Sequence, residues 1–239
     1  MRALVIVPTY NEAEDIARLC RVLCENPRVA HVLVVDDASP DGTADIVDAL
    51  SHGLEVSVLR REKKDGRGGA VLDGLELGRE RPEYTHFVEM DADFSHDPAE
   101  LDRLLDAAAV GGADFVIGSR YIAGSKISNW PLRRRLFSFG ANKFARLMLG
   151  VPVKDYTNGY RCYSRRAIEA LDRSLVQPKG FIALSAILLQ LHSKGFSVTE
   201  VPIHFVNRVR GVSSLSRGEI GEAFRNVIRL RKLKRSLAG

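Results

Sequence analysis

Cysteine is scarce and odd in number: Cys20, Cys24 and Cys162 are the only three in 239 residues. Cys20 and Cys24 stand four apart in an apolar helical stripe, with no CxxC spacing and no neighbouring histidine. The reading is therefore buried thiols in a reducing compartment, without a disulfide framework or a zinc site. Long apolar runs are also missing. The longest, 181–191, is broken by Ser185 and Gln190 and falls short of the ~20 residues that cross a bilayer. The apolar stretch at the N-terminus is too short for a secretory signal and lacks a small-residue cleavage site, so neither export nor a membrane-spanning segment is expected. No GxxxxGK[ST] occurs. The glycine-rich run DGRGGA (65–70) places Val71 where a dinucleotide fingerprint needs glycine and does not follow the first strand, which leaves P-loop and NAD-type functions unsupported. Repeats, low-complexity tracts and Pro/Gly/Ser linkers are absent, and a single domain over 1–239 is expected.

What is present is apolar enough for a substantial core, at 45% hydrophobic and 27% charged residues. The net charge of +5 conceals an asymmetry. Residues 1–119 carry 12 Lys/Arg against 24 Asp/Glu, a balance of −12, whereas residues 120–239 carry 23 against 6, a balance of +17. Clustered carboxylates favour a divalent cation, and a basic surface attracts phosphates or anionic lipid. Arg133, Arg134 and Arg135 stand among Trp130, Leu132, Leu136, Phe137 and Phe139, a mixture that suits an interfacial helix and equally an ordinary core-facing helix with a solvated basic side.

The first half alternates strands and helices. Periodicity predicts strands at 3–7, 32–35, 56–59, 85–90 and 115–118, and helices at 11–24, 43–50, 69–77 and 99–109. Strands apolar along their whole length, separated by helices, imply a mostly parallel sheet covered on both faces, with ligands at the strands' carboxyl ends. Beyond residue 118 the alternation fails. Residues 131–149 read as a basic amphipathic helix, 180–194 as a buried one, 196–205 as a strand interrupted by Pro202, 206–218 as a mobile loop and 217–237 as a terminal basic helix.

Polar clusters fall at those strand ends. Asp91-Ala92-Asp93 follows the fourth strand, and acceptor-only carboxylates are what Mg²⁺ or Mn²⁺ prefers, with water and substrate phosphate completing the shell. Asp97, before Pro98, reads instead as a helix cap. After the second strand, Asp37 is the candidate for a base or ribose contact, while Asp41-Gly42-Thr43 reads as turn and cap. After the first, Tyr10 is suited to pack on a nucleobase, and Asn11 is at least as well suited to cap the helix.

Together VPTYNE (7–12), VVDDASPDGT (34–43), GRGGAVLDG (66–74), MDADFSHDP (90–98), IGSRY (117–121) and TNGYRCYSR (157–165) resemble family 2 glycosyltransferases. Their order and spacing resemble the dolichol-phosphate mannose synthase branch, the polyprenol monophosphomannose synthases, over roughly residues 3–210. The resemblance implies an α/β GT-A fold, that is, a Rossmann-like, mostly parallel central sheet flanked by helices. It also implies a nucleotide-sugar donor such as GDP-mannose, Mg²⁺ or Mn²⁺, and a polyprenyl phosphate acceptor at the cytosolic face of a membrane. By the same resemblance Pro8, Tyr10, Glu12, Val35 and Asp37 contact the nucleotide, Asp91, Ala92 and Asp93 hold metal and diphosphate, and Arg120 and Arg208 meet phosphate oxygens. The chain departs from the family pattern at Ser95, at Leu184 and Ala186, where the pattern has Gln and Glu, and at Ser214, where it has Lys.

The expected reaction is inverting transfer of a hexose. A phosphate acceptor, with a second pKa of ~6, is already an anionic nucleophile and needs no dedicated base. It does need a cationic pocket, for which Arg120, Arg133, Arg135, Arg208 and Arg210 are the candidates. Peripheral membrane association is expected, with a separate anchoring protein as an open question and no nucleic-acid partner. Two other readings fit the residues: transfer to a hydroxyl, which would require a base, and a non-catalytic basic module binding membrane or nucleic acid.

Overall fold

The computed structural model describes residues 1–176, 182–207 and 227–231. Among them the alternation expected for the first half is present: β1 (Ala3–Thr9), α1 (Ile16–Cys24), β2 (Val29–Asp36), α2 (Thr43–Leu50), β3 (Val56–Arg60), α3 (Arg67–Arg79), β4 (His86–Glu89), α4 (Leu101–Ala109) and β5 (Phe115–Ser119). The helix expected from residue 11 begins later, at Ile16. The chain leaves β1 through Asn11 in the left-handed region at φ 59°. Glu12 N–H then donates to Thr43 Oγ1 and Ala13 N–H to Asp41 Oδ2, which ties these residues to the start of α2. Asp41 also accepts from Thr43 N–H at 3.0 Å, the turn-and-cap role read from the sequence.

The second half supplies β6 (Lys126–Ser128), α5 (Leu132–Leu149), β7 (Arg161–Ser164), α6 (Arg165–Glu169), α7 (Ile182–Ser193), β8 (Val198–Pro202) and β9 (His204–Val206). The main sheet runs β3-β2-β1-β4-β7-β5-β8. All its pairings are parallel except those of β7, which is antiparallel to both β4 and β5. The single strand expected over 196–205 is two, in different sheets: β8 extends the main sheet, and beyond Pro202 the chain turns so that β9 pairs with β6. Of the terminal helix expected over 217–237, residues 227–231 are described and helical; the remainder, like 208–218, lies outside the described residues.

Alternation along each buried strand divides the core into two layers. Ala3, Val5 and Val7 of β1 pack with Ile16, Leu19 and Leu23 of α1 and with Leu101 and Leu104 of α4. Leu4 and Ile6 pack on the opposite face with Leu72 and Leu75 of α3, Ala145 and Leu149 of α5 and much of α7. Helix α3 lies so close to β1 that a Cβ on Gly78 would sit 2.4 Å from Leu4 Cδ2. This close seat fixes where the first residues of α3 reach the carboxyl edge of β4.

Candidate functional site

Three strands deliver polar side chains to one edge. Thr9 at the end of β1 pairs with Asp36 at the end of β2, and its hydroxyl donates to Asp36 Oδ1 at 3.0 Å. Asp36 also accepts from Ser39 N–H and Oγ–H and so shapes the turn that carries Ala38 at φ 60°. After β4, Phe94 adopts φ 55°, a conformation uncommon for a bulky side chain and therefore held by its surroundings. Left-handed residues follow β1, β2 and β4 alike, so the chain turns sharply at the rim where the sequence clusters lie.

Asp91 and Asp93 are both partly exposed, while Ala92 between them is buried in the core. Asp91 is held on two sides. Its Oδ1 accepts from Arg67 Nε at 2.6 Å, and its N–H donates to His96 Nδ1 at 3.1 Å. His96 is fully buried, and its Nε2 lies 2.9 Å from Asn158 Oδ1. Because Nδ1 accepts a backbone N–H, Nε2 carries the proton that Asn158 receives. Burial pushes the Asp91 carboxyl up, but the charge of Arg67 and its hydrogen bond, with the charge of Arg120 behind them, outweigh it and bring it down to about 2. Asp91 is thus an anion across the physiological range. Asp93 Oδ1 accepts from Ser95 N–H at 3.0 Å, which gives Ser95 a backbone role at this turn. Two acid side chains with oxygen donors, at a rim where a diphosphate can complete the shell, fit a hard divalent cation.

His96 stacks on Tyr160 at 5.1 Å and meets Phe205 edge-on at 5.5 Å. Replacing it by alanine removes a packed ring and leaves Asn158 Oδ1 and Asp91 N–H without their partner. The expected loss is about 3–5 kcal/mol in urea unfolding, in the range of buried aromatic truncations. A loss below ~1 kcal/mol would show that the ring does not organise the DxD turn.

The other expected donor residues divide into three kinds. Tyr10 is exposed, with Lys64 Nζ 3.3 Å above its ring, and Pro8 and Glu12 are partly exposed beside it in the chain. Val35 is wholly buried and belongs to the core layer under α3, and Ala92 is likewise buried, so neither presents its side chain at the rim. Asp37 is also buried. Its carboxylate accepts from Arg61 Nη1, from Asp65 N–H at 3.0 Å and from Gly66 N–H at 2.7 Å, so in this conformation it clamps the 61–66 loop.

The basic candidates are redistributed in the same way. Arg120 is buried, and its Nε and Nη2 grip both oxygens of the fully buried Asp155 at 2.8 Å each. Nη2 also reaches Thr157 Oγ1 at 2.7 Å, and the guanidinium lies 5.3 Å from the Trp130 ring and 5.4 Å from Phe205. Arg133 is exposed on α5, and Arg135 Nη2 donates to Ile127 O. Arg134, which the sequence reading did not single out, stacks 4.6 Å from Trp130 and donates to Asn207 Oδ1 at 2.9 Å. Burial and the charge of Arg120 push its guanidinium down while Asp93 acts against them, so Arg134 stands within electrostatic reach of both the acidic and the basic group. Helical spacing from the buried Asn142 and Ala145 places Arg134 toward the inner side of α5 and Arg135 with it, while Arg133 is exposed. Arg208 and Arg210 lie outside the described residues.

The end of β4 thus carries an acidic pair within electrostatic reach of the Arg120 and Arg134 guanidinium groups, on a mostly parallel sheet with β7 inserted antiparallel. Residues 4–172 match the glycosyl transferase family 2 profile, and the chain belongs to that family. It is similar to the polyprenol monophosphomannose synthase of Mycolicibacterium smegmatis, at 48% identity over 93% of this chain and 84% of that one. It is also similar to the undecaprenyl-phosphate mannosyltransferase of Micrococcus luteus, at 44% identity over 96% and 93%. Among solved structures, glucosyl-3-phosphoglycerate synthase from Mycobacterium tuberculosis with Mg²⁺ and UDP superimposes with a TM-score of 0.68 at 18% identity, covering 97% of this chain and 78% of that one. At that identity the likeness is one of fold, and it establishes the GT-A architecture.

Proposed function

We propose that the chain transfers mannose from GDP-mannose to a polyprenyl phosphate with inversion at the sugar carbon, using Mg²⁺ or Mn²⁺ held by Asp91 and Asp93. The observation that carries the reading is that the acidic pair after β4 lies within electrostatic reach of Arg134 and Arg120, in a chain 48% and 44% identical to a polyprenol monophosphomannose synthase and an undecaprenyl-phosphate mannosyltransferase. A divalent cation bound there supplies positive charge to the departing diphosphate. The chain's residues do the rest. Tyr10 and the turns after β1 and β2 receive the nucleoside, and Arg67 and His96 hold Asp91 in place. Arg134, with Arg120 behind it and Arg208 and Arg210 following β9 in the chain, draws the acceptor phosphate to the sugar. That acceptor is anionic already, so no carboxylate is needed as base. Residues 1–119 then form the donor half and 120–239 the acceptor half. The test is a panel of nucleotide sugars with Mn²⁺, scored as nucleotide release with polyprenyl phosphate, with polyprenol, and with neither. Release that is stimulated by polyprenol as strongly as by its phosphate overturns the acceptor assignment.

No helix among the described residues is long and apolar enough to cross a membrane, yet α5 presents apolar side chains outward. Leu132 is 69% exposed, Leu136 62%, Phe139 54% and Leu147 81%, alongside exposed Arg133, Lys143 and Arg146. Exposed leucines and a phenylalanine interleaved with basic residues, beside the pocket for a lipid-borne phosphate, support peripheral docking of α5 on the cytosolic face of a membrane. Leu136→Glu with Leu147→Glu is expected to reduce sedimentation with anionic liposomes about tenfold or more, at ~0.8 kcal/mol per buried CH₂ lost. Turnover of a short-chain, water-soluble acceptor should be unchanged. Sedimentation equal to wild type would remove α5 from the membrane contact.

A further inference from the structure

The GRGGA run carries one side chain that donor and acceptor binding do not explain. Arg67 opens α3 and spans to the far side of β4: Nε donates to Asp91 Oδ1 at 2.6 Å, Nη1 to Glu89 Oε2 at 2.9 Å and Nη2 to Gly159 O at 2.9 Å. Its seat is built for it. A Cβ on Gly159 would stand 2.1 Å from Arg67 Nη2, so only glycine at 159 lets the guanidinium lie flat against that peptide. Glu89 is fully buried, accepts the Tyr163 hydroxyl at 2.5 Å and lies 4.0 Å from Arg161 Nε. Arg67 therefore cannot leave Asp91 without also giving up a buried carboxylate and a carbonyl.

Asp91 is also the residue assigned to the cation. One of its oxygens is held by a fixed positive charge, and Arg120 acts on the same carboxyl. A dication arriving alone must share Asp91 with this guanidinium and approach it closely. A dication arriving with a nucleoside diphosphate brings negative charge that offsets the repulsion. Resting on the metal-dependent donor reading above, we propose that Arg67 is a positioning residue that makes cation uptake at Asp91 conditional on the donor's diphosphate. It fixes one carboxylate oxygen for the incoming complex and, as resident counter-charge, weakens binding of the bare ion.

The measurement is Mn²⁺ binding followed by the EPR signal of the free ion, for wild type, Arg67→Gln, Arg67→Met and Arg67→Lys, each alone and with GDP or UDP. The two neutral variants are expected to bind Mn²⁺ alone about tenfold more tightly than wild type, since removing a unit charge this close to a dication is worth at least ~1.4 kcal/mol even when well screened. Their affinity in the presence of diphosphate should move by less than about threefold, so the linkage between the two ligands shrinks. Arg67→Lys should keep the weak uptake of the bare ion. If both neutral variants bind Mn²⁺ alone as wild type does, while wild type takes up Mn²⁺ with diphosphate, Arg67 is only a cross-link between α3 and β4 and the inference fails. A wild type that takes up Mn²⁺ with neither diphosphate overturns the metal-dependent donor reading itself, and the inference with it. Thermal melts accompany each variant, and Arg67→Gln, which can still hydrogen-bond Glu89, carries the comparison if Arg67→Met does not fold.

Discussion

Asp91→Asn is expected to lower metal-dependent turnover by about 10³-fold or more, because charge neutralisation at a departing diphosphate is worth several kcal/mol. The fold should remain: the amide can still accept from Arg67 Nε through its oxygen, and the backbone N–H that donates to His96 is untouched. Asp93→Asn should act similarly, with the amide oxygen still able to accept from Ser95 N–H. The measurement is kcat with saturating donor and acceptor over a Mn²⁺ titration, together with circular dichroism of each variant. If either variant kept more than about a tenth of wild-type turnover at saturating Mn²⁺, its carboxylate would not be the group that holds the cation during transfer.

The second large effect belongs to Asp155. Its oxygens accept from Arg120 N–H, Nε and Nη2 and from the N–H groups of Thr157 and Asn158, all in a fully buried setting. Asp155→Asn leaves the Arg120 guanidinium buried without its counter-charge and turns an amide NH₂ toward donors. Breaking a buried pair on one side costs about 3–5 kcal/mol, which urea unfolding will read directly. A loss under ~1 kcal/mol would mean that Arg120 finds another anion or water. The pair also sets a pH dependence. Burial raises the Asp155 carboxyl, but Arg120 and the hydrogen bonds outweigh it and hold it below the usual value of 3.8. A carboxyl depressed in the folded state contributes stability that is complete above the unfolded value and is lost as pH falls through the folded one. Wild type should therefore lose stability steeply on the acid side of pH 4, and Asp155→Asn should show a flatter acid limb.

Arg120 illustrates how a residue can be found from sequence while its partners within the fold stay hidden. The IGSRY motif marks it as a phosphate ligand, but its fork is engaged by Asp155, 35 residues away. In the fold it places a buried positive charge and orders the 155–158 turn, from which Asn158 reaches His96. Arg134 stands beside it with a smaller protein commitment. Asp37 shows the same limit on the donor side: a strand-end aspartate reads as a ligand group, yet three donors of the 61–66 loop converge on it.

The sequence by itself determined the alternation of strands and helices over 3–119, the rim after β4 at which Asp91 and Asp93 lie, and the want of a spanning helix among the described residues. Each follows from local pattern, because a strand buried on both faces must be apolar throughout and a ligand-bearing turn must interrupt it. Only the tertiary structure decided that β7, a four-residue strand beginning with a buried arginine, slots antiparallel between β4 and β5. It alone decided that Val35 and Ala92 face the core, that Arg134 stacks on Trp130 while Arg133 stays exposed, and that Arg67 grips Asp91. These outcomes rest on charges meeting across 24 to 35 residues of chain, and which charges meet in a buried place depends on how the layers pack, which no local window of sequence contains.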